Sequence, residues 1–285
     1  MQSELQAAIA RIDSDSPRLD AEVLLAHSLN KPRSHLLAWP DKVIQPSALQ
    51  QFNQLIQKRI DGQPISYLTG TREFWSMNLT VTPDVLIPRP ETELLVETAL
   101  ARLSDVDSQA ADLGTGSGAI AIALAKERPN WQITATDQSQ AALRIAAANA
   151  AQQNLGNIEF RHSDWLESLA DKRFDLIISN PPYIAATDPH LDQGDVRFEP
   201  DQALASGVDG LDDIKKIIAQ SPAHLKPNAW LMLEHGYNQS SAVQKLLEGT
   251  PQHNMENCQQ YTCIESLADL SGQSRVTVAQ LSSQP

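Results

Sequence analysis

Cysteine is scarce in this chain of 285 residues, which contains only Cys258 and Cys263. Two thiols form at most one cross-link, which excludes a disulfide scaffold for a chain of this length. A reduced, cytoplasmic setting is therefore expected. We expect both cysteines to be packed thiols rather than a redox pair. No apolar run approaches the ~20 residues of a membrane helix, and the first ten residues lack the basic-then-apolar pattern of a signal or transit peptide. The sequence therefore favours a protein without membrane association.

Basic residues are also few, because 22 Lys and Arg stand against 35 Asp and Glu, a net charge of −13. Proteins that bind DNA or RNA electrostatically need clustered cations, so this balance argues against nucleic-acid binding. Residues 1–70 carry seven basic and seven acidic side chains, so the whole imbalance falls on residues 71–285. The sequence contains no strong self-association signal. A monomer is the default expectation, and the oligomeric state stays open.

Residues 1–62 have the apolar spacing of helices. Between Pro46 and Gly62, for example, Phe52 and Ile56 recur on one face, with proline at the start and glycine at the end of the pattern. Several such segments in succession predict a small helical bundle. Nothing in this part of the chain has a catalytic pattern, so it serves either to stabilise the protein or to recognise a partner.

From about residue 91 onward, short apolar strands alternate with helices. This alternation predicts a mainly parallel, doubly wound α/β sheet, which binds ligands at the carboxyl ends of its strands. Two late strands, near 260–265 and 275–280, are expected to pair as an antiparallel hairpin. The predicted organisation is an all-α N-terminal domain, a linker hairpin that is not a core element, and a Rossmann-like domain, over residues 1–70, 71–90 and 91–285.

A glycine-rich turn, DLGTGSG, separates the first strand of the α/β region from a helix. Its glycines, Gly114, Gly116 and Gly118, permit a tight turn and the close approach of a ligand, and the helix N-terminus offers free N–H groups. The spacing differs from the G-x-G-x-x-G of dinucleotide sites. Taken alone, the loop is equally consistent with a plain strand-to-helix turn.

Acidic and aromatic residues follow the next two strands. Asp137 ends the second strand, where a carboxylate can accept hydrogen bonds from both hydroxyls of a ribose, or can cap the helix that follows. Asp164 and Trp165 follow the third strand. In a nucleoside site, the indole would form an apolar wall and Asp164 would accept from an exocyclic amine. Without the other motifs, a core tryptophan would be the favoured interpretation.

The sequence Asn180-Pro181-Pro182-Tyr183, after the apolar strand FDLIIS, is the most specific motif. The two prolines make the turn rigid and remove two donors, so the local backbone presents acceptors, and the Asn180 oxygen adds another. Together they can hold both hydrogens of a planar NH₂ group, while the Tyr183 ring packs on its plane. Hydrogen bonds to both N–H groups direct the nitrogen lone pair toward a methyl sulfonium and stabilise the positive charge that develops on the nitrogen.

With these motifs the chain resembles the S-adenosylmethionine-dependent methyltransferases that alkylate planar amines, on adenine N6, cytosine N4 or protein glutamine. Other segments, spread nearly end to end, are similar to the peptide chain release factor glutamine methyltransferases: SPRLDAEVLLAH, the P-x-x-Y-L-x-G from Pro64, VLIPRPETE, GDVRFEP, LEHG and the closing D-L-x-G-x-x-R-V. Ser76 and Leu79 depart from that pattern, because many members have Gly and Phe there. Both fall in the linker hairpin, so they bear on its shape and leave the chemistry unaffected.

The resemblance implies a class I methyltransferase fold. It also implies transfer of a methyl group from S-adenosyl-L-methionine to N5 of the glutamine in the Gly-Gly-Gln loop of release factors, with S-adenosyl-L-homocysteine as product and no metal. It implies cofactor contacts at Gly114, Thr115, Gly116, Ser117, Gly118, Asp137, Asp164, Trp165 and Asn180. It implies catalysis and glutamine binding at Asn180, Pro181, Pro182 and Tyr183.

Two other functions stay open. One is an adenine-N6 or cytosine-N4 nucleic-acid methyltransferase, which the net charge opposes. The other is a non-catalytic module that binds release factor through its N-terminal helices, which the intact glycine loop and Asn-Pro-Pro-Tyr oppose.

The sequence defines the roles of a few charged residues less well. Arg89 is equally consistent with a place beside the active site and with a surface salt bridge. Arg197 is expected to anchor the loop after Asn-Pro-Pro-Tyr through nearby acids. For Glu234 and His235, at the end of a strand, a structural hydrogen-bonding role is favoured over a catalytic one.

Overall fold

A computed structural model describes residues 1–104, 106–249 and 260–282. The chain divides into two compact units. The first comprises Met1–Thr71 together with Asp192–Phe198, and the second comprises Arg72–Leu191 together with Glu199–Pro285. One short segment of the later sequence therefore packs with the N-terminal helices.

The first unit is helical, as predicted. Its core includes Leu24, Leu25, Phe52 and Ile56, all fully buried. Proline stands at the first position of two of the helices, where its missing N–H would have no intrahelical partner. The helices are α1 (Gln2–Ile9), α2 (Pro17–Leu29), α3 (Arg33–Ala38), α4 (Pro46–Ile60) and α5 (Ile65–Thr69).

The segment Asp192–Phe198 is attached to these helices by two arginines. Arg59 donates to Asp20 at 2.8 Å and to Asp195 at 2.9 Å. Arg197 was expected to use nearby acids, but it donates to the backbone carbonyl of Asp61 at 3.0 Å. Glycine suits position 62, because its φ of +94° is rarely adopted by other residues and because a Cβ there would lie 2.0 Å from the Arg197 guanidinium, which would have to move.

A two-stranded hairpin, β1 (Thr71–Phe74) and β2 (Met77–Thr80), begins the second unit. Ser76, at its turn, has a φ of +55°, which explains why glycine suits this position. The expectation that the hairpin is not a core element is wrong. Phe74, Met77 and Leu79 are buried in the main hydrophobic cluster of the second unit.

The second unit contains the predicted doubly wound sheet. Its strands are β3 (Gln109–Leu113), β4 (Gln132–Asp137), β5 (Ile158–His162), β6 (Phe174–Ser179), β7 (Leu225–Glu234), β8 (Tyr261–Ala268) and β9 (Ser274–Leu281). They lie in the order β5-β4-β3-β6-β7-β9-β8. The pairs among β3 to β7 are parallel, whereas β9 is antiparallel to β7 and β8, so the predicted late hairpin is confirmed.

Successive residues of the strands enter two separate cores. In β6, for example, Leu176 and Ile178 belong to one hydrophobic cluster, and Ile177 belongs to the other. This is the two-residue period of a strand buried on both faces. The covering helices are α6 (Glu93–Arg102), α7 (Ala119–Glu127), α8 (Gln140–Gln152), α9 (Asp212–Gln220) and α10 (Ser240–Glu248).

The strand order reverses beside β3, because the chain passes from β3 to β4 on one side and later returns to β6 on the other. Ala111 of β3 is paired with Thr134 of β4 and with Ile177 of β6. In open sheets of this kind, ligands bind in the crevice at the carboxyl ends of the strands where the order reverses. The glycine loop follows β3, and Asn-Pro-Pro-Tyr follows β6, at that edge.

The cysteines differ from expectation where the structure describes them. Cys263 is exposed on β8, with a φ of +51°, and so is not a packed thiol. Cys258 lies outside the described residues. Over the described ranges, no helix is long and apolar enough to cross a bilayer.

Candidate active site

The glycines of the loop after β3 serve three different purposes. A Cβ at Gly114 would lie 3.1 Å from the ring of Trp165, and one at Gly118 would lie 2.9 Å from Ile122 of α7. At Gly116, no atom of the described residues comes within 4 Å of the Cβ position, and both Gly114 and Gly116 line a cavity. All three have positive φ. Only Gly116 therefore combines the turn with open space for a ligand.

Thr115 and Ser117, also predicted to contact the cofactor, are buried inside the loop. The Thr115 hydroxyl donates to the Asp112 carboxylate at 2.7 Å, and the Ser117 carbonyl accepts from the Asn149 amide at 2.9 Å. Neither residue lines the cavity, and neither does Gly118. These two contacts, one through the Thr115 side chain and one through the Ser117 backbone, hold the shape of the loop.

Asp137 ends β4 and lines the cavity. Its carboxylate accepts the backbone N–H of Gly116 at 2.9 Å and that of Ser139 at 2.8 Å. Ser139, rather than Asp137, caps helix α8, since its hydroxyl accepts from the N–H of Ala142 at 3.1 Å. Burial raises the pKa of the Asp137 carboxyl, and the two N–H groups offset part of that effect. Each carboxylate oxygen has a further lone pair for a ligand hydroxyl.

Trp165 lines the cavity through a strained backbone conformation, with a φ of +51°. Its indole N–H donates to Asp213 at 3.2 Å, and its carbonyl accepts from the Thr136 hydroxyl at 3.2 Å. Non-glycine residues with positive φ are uncommon and cluster at functional sites. The contacts to Asp213 and Thr136 hold the ring against Gly114.

Asp164, the neighbour of Trp165, lies outside the cavity lining. Its carboxylate accepts from Lys216 at 2.5 Å and from the Gln138 amide at 3.3 Å. The structure therefore gives no support to Asp164 as the partner of an exocyclic amine. Ser163, which sequence reasoning did not select, lines the cavity instead.

The Asn-Pro-Pro-Tyr motif is divided between the cavity and the interior. Asn180 and Pro182 line the cavity, whereas Pro181 and Tyr183 do not. The Asn180 amide nitrogen donates to the Thr92 hydroxyl at 3.0 Å. Tyr183 packs against the hydrophobic core, and its phenol donates to Glu234 at 3.4 Å. Burial raises the pKa of Tyr183, so the phenol stays a donor.

The cavity has a volume of about 380 Å³ and lies entirely within the second unit. Two segments that sequence reasoning did not assign to the site complete its lining, Asp84–Leu86 and the stretch from Pro200 to Ala205. The family-like segments VLIPRPETE and GDVRFEP were the only signals that could have pointed to them.

A buried carboxylate links the residues that adjoin these two segments. Glu199 accepts the N–H of Ile87 at 3.0 Å and the guanidinium of Arg89 at 2.5 Å. Its side chain is fully buried, and that of Arg89 is 29% exposed. Arg89 does not line the cavity. Arg89 therefore forms a salt bridge, but not the surface one considered from the sequence, because its partner is fully buried, and the bridge supports the wall of the site.

Two fully buried acids near the site have unusual protonation. Burial raises the pKa of Asp112 to about 7, and the negative charge of Asp137 contributes in the same direction. Burial also raises the pKa of Glu234 to about 7. One oxygen of each carboxylate, Oδ1 of Asp112 and Oε2 of Glu234, has no hydrogen-bond partner in the part of the chain that the structure describes. Among those same residues, no cluster of three or more His, Cys, Asp or Glu could hold a metal ion.

Known proteins resemble this chain in both sequence and fold. Residues 90–195 match the methyltransferase small domain, and residues 2–70 match the PrmC N-terminal domain. The fold resembles the solved 16S rRNA N2 G1207 methyltransferase from T. thermophilus, which is bound to AdoMet and guanosine (TM-score 0.53, 18% identity, 74% of this chain and 49% of that chain). The glycine loop, the acid after β4 and the cavity at the sheet edge, together with these matches, define the class of the protein as a methyltransferase.

The curated relatives narrow this class. The release factor glutamine methyltransferase of Pseudomonas aeruginosa is 48% identical over 94% of this chain and 94% of its own length. The protein of the same name from Escherichia coli is 47% identical over 90% of this chain and 93% of its own length. The chain belongs to the release factor glutamine methyltransferase family.

Proposed function

We propose that this protein transfers a methyl group from S-adenosyl-L-methionine to N5 of the glutamine in the Gly-Gly-Gln loop of release factors. One observation carries the proposal. A single cavity is lined by Gly116, Asp137 and Trp165, which suit the methyl donor, and by Asn180 and Pro182, which suit an amide. The donor and the acceptor of the methyl group would therefore meet in one place.

The cavity residues fit the cofactor chemically. Gly116 leaves open space beside the loop, Asp137 offers carboxylate lone pairs to a ribose, and Trp165 offers an apolar ring face. The volume of about 380 Å³ falls within the range of roughly 300–1,000 Å³ typical of small-molecule sites. When bound, S-adenosyl-L-methionine supplies an electrophilic methyl group on its sulfonium sulfur.

Asn180 and the prolines after it would hold the glutamine amide. The Asn180 nitrogen is engaged by Thr92, which leaves the Asn180 oxygen as the acceptor for one N–H of the substrate. Pro181 and Pro182 have no N–H, so the backbone here can only accept from the other. Fixing both N–H bonds directs the nitrogen lone pair and stabilises the positive charge that grows on nitrogen during transfer.

No strong base is needed before the transfer. An amide nitrogen that has gained a methyl group is strongly acidic, so its extra proton passes to water once the new bond is formed. The methyl group is already activated by its sulfonium, and we therefore propose that the reaction requires no metal.

Label transfer tests the proposed function. Radioactive S-adenosyl-L-methionine is incubated with the purified protein and each release factor, and mass spectrometry then locates the added methyl group. We expect one methyl group on the glutamine of the Gly-Gly-Gln loop, and no label when that glutamine is replaced by Ala. A folded, cofactor-binding protein that labels no release factor would rule out the proposal.

Duplex DNA in the same assay tests a nucleic-acid substrate. The charge of −13, confined to residues 71–285, supports a protein substrate. We expect neither label on DNA nor a gel shift at physiological salt.

We further propose that the N-terminal helices recognise the release factor. In the first unit, Leu37, Trp39 and Val43 are exposed by 72%, 60% and 87%, which is unusual for large apolar side chains. Replacing Trp39 with Ser should raise the KM for release factor and leave cofactor affinity unchanged. An unchanged KM would assign these helices to stability alone.

Location and assembly remain predictions from the sequence. The low cysteine content supports a reducing, cytoplasmic compartment. A monomer is expected, and sedimentation velocity of the purified protein measures this directly.

A further inference from the structure

Behind the cavity, two buried polar residues extend inward from Asn180. The Asn180 amide nitrogen donates to the Thr92 hydroxyl at 3.0 Å. Thr92 is only 4% exposed and precedes helix α6, 88 residues earlier in the chain. Its side chain also lies near enough to the carboxylate of Glu234 to lower the pKa of that acid.

Glu234 ends strand β7 and is 1% exposed. Its Oε1 accepts from the Tyr183 phenol at 3.4 Å, and its Oε2 has no hydrogen-bond partner within residues 1–104, 106–249 and 260–282. A buried, incompletely paired carboxylate destabilises a fold. A residue of this kind points to a role other than stability.

The direction of these hydrogen bonds follows from the chemistry of the groups. An ionised carboxylate only accepts, so the hydroxyl hydrogens of Thr92 and Tyr183 turn toward Glu234. The lone pairs of the Thr92 oxygen are then left to accept the N–H of Asn180. This orientation of the Asn180 amide presents its oxygen, and not its NH₂ group, on the opposite side.

The orientation of the Asn180 amide decides whether the site can bind a glutamine amide. The glutamine nitrogen carries two N–H donors and needs acceptors. If the Asn180 amide were rotated by 180°, its own NH₂ group would face the NH₂ group of the substrate. An asparagine amide is nearly symmetric in shape, and only its hydrogen-bond partners distinguish its two ends.

We propose that Thr92 and Glu234 are positioning residues, which hold the Asn180 amide with its oxygen toward the substrate nitrogen. The proposal rests on the proposed function. Burial raises the pKa of Glu234 to about 7, as does the nearby charge of Glu91, while Thr92, Arg275 and Tyr183 act in the opposite direction.

The test compares Thr92→Val with Thr92→Ser. Valine has the shape of threonine without the hydroxyl, and serine keeps the hydroxyl. We expect Thr92→Val to lower kcat on release factor by about tenfold or more, with cofactor affinity within about twofold of the wild type. Thr92→Ser should retain most of the activity. Thr98→Val is the matched control, because Thr98 is a buried residue on α6 whose hydroxyl, within the described part of the chain, bonds locally to the Leu94 carbonyl at 2.6 Å.

A double variant separates positioning from general damage. If Thr92 acts through Asn180, then adding Thr92→Val to Asn180→Ala should change kcat by less than about twofold. Glu234→Gln should lower kcat in the wild-type background and should likewise have little effect beside Asn180→Ala. Losses that multiply in the double variants would overturn the proposal, as would a folded Thr92→Val protein with wild-type kcat.

Different results would contradict the positioning role of Thr92 and the proposed function. An inactive wild-type protein would contradict the proposed function itself. An active wild type whose Thr92→Val variant behaves like Thr98→Val would contradict only the positioning role.

Discussion

The ring of Trp165 lies directly on the backbone of Gly114, so that a Cβ at this glycine would be 3.1 Å from the ring atom Cζ3 and 3.4 Å from Cη2. Both residues have positive φ, +70° for Gly114 and +51° for Trp165. The first glycine of the loop therefore makes room for a side chain of the protein, which in turn forms a wall of the cavity.

Gly114→Ala should weaken cofactor binding by about tenfold or more, because the new methyl group pushes the Trp165 ring into the cavity. The positive φ should add a stability loss of about 1–2 kcal/mol. Calorimetry with S-adenosyl-L-methionine measures the first effect, and urea unfolding measures the second. Gly70→Ala is the matched control, since Gly70 has a φ of +73° and no atom within 4 Å of its Cβ position. It should lose stability and keep cofactor affinity. Unchanged affinity in Gly114→Ala would contradict the role given to the ring.

Asn180→Ala should lower kcat by about 10²–10³, the loss typical of one preorganised polar contact to a developing charge. Cofactor affinity should stay nearly unchanged if, as proposed, Gly116, Asp137 and Trp165 carry that binding. Steady-state kinetics on release factor and calorimetry with the cofactor separate the two effects. A variant that mainly lost cofactor affinity would show that Asn180 has been given the wrong role.

Asp112→Asn should change how stability depends on pH. The folded-state pKa of Asp112, about 7, exceeds its ordinary value of 3.8. Its contribution is therefore fully present below pH 3.8 and is lost as the pH rises through about 7. Asparagine cannot ionise, so between pH 5 and pH 9 the variant should gain about 2–3 kcal/mol relative to the wild type. Urea unfolding of both proteins across this range measures the difference. A constant difference at all pH values would contradict the raised pKa.

Arg59→Met should destabilise the first unit by about 2–4 kcal/mol, because it leaves the buried Asp20 without its charged partner and, among the described residues, with only the hydroxyls of Ser14 and Ser16 as donors. The side chains of Arg59 and Asp20 are only 13% and 8% exposed. Lys58→Met, an exposed change on the same helix, should have little effect. Hydrogen exchange of the α2 and α4 amides follows this unit separately from the rest. Equal protection in the two variants would show that the ion pair adds nothing.

Binding of release factor should weaken as salt is raised, if basic surfaces of the release factor meet the negative residues 71–285. The measurement is the KM at increasing concentrations of potassium chloride, with cofactor affinity as the reference. A KM that does not depend on ionic strength would exclude this electrostatic attraction.

Sequence reasoning predicted a site at the edge of the sheet where the cavity lies, because its motifs follow strands of one parallel sheet. Gly116, Asp137 and Asn180 each come soon after a buried strand, and the carboxyl ends of parallel strands lie at one edge. It did not distinguish neighbours within a motif. Trp165 lines the cavity and Asp164 does not. The backbone at Trp165 adopts a positive φ, which the pattern of residue types does not predict.

The sequence also could not predict contacts between segments that are distant along the chain. Thr92 meets Asn180 across 88 residues, and Tyr183 meets Glu234 across 51. Hydrophobic periodicity shows which face of an element is buried, but it does not show which polar group the buried face will meet.

By itself, the amino-acid sequence determined the alternation of strands and helices, the glycine turn and the rigid Asn-Pro-Pro-Tyr turn, because these depend on local spacing and on the chemistry of single residues. Only the tertiary structure decided that Asp84–Leu86 and Pro200–Ala205 complete the cavity, and that Thr92 and Glu234 stand behind Asn180. Those contacts form when the packing of the sheet and its helices brings remote segments within hydrogen-bond distance. The local spacing of residues in the sequence does not predict which remote segments will meet.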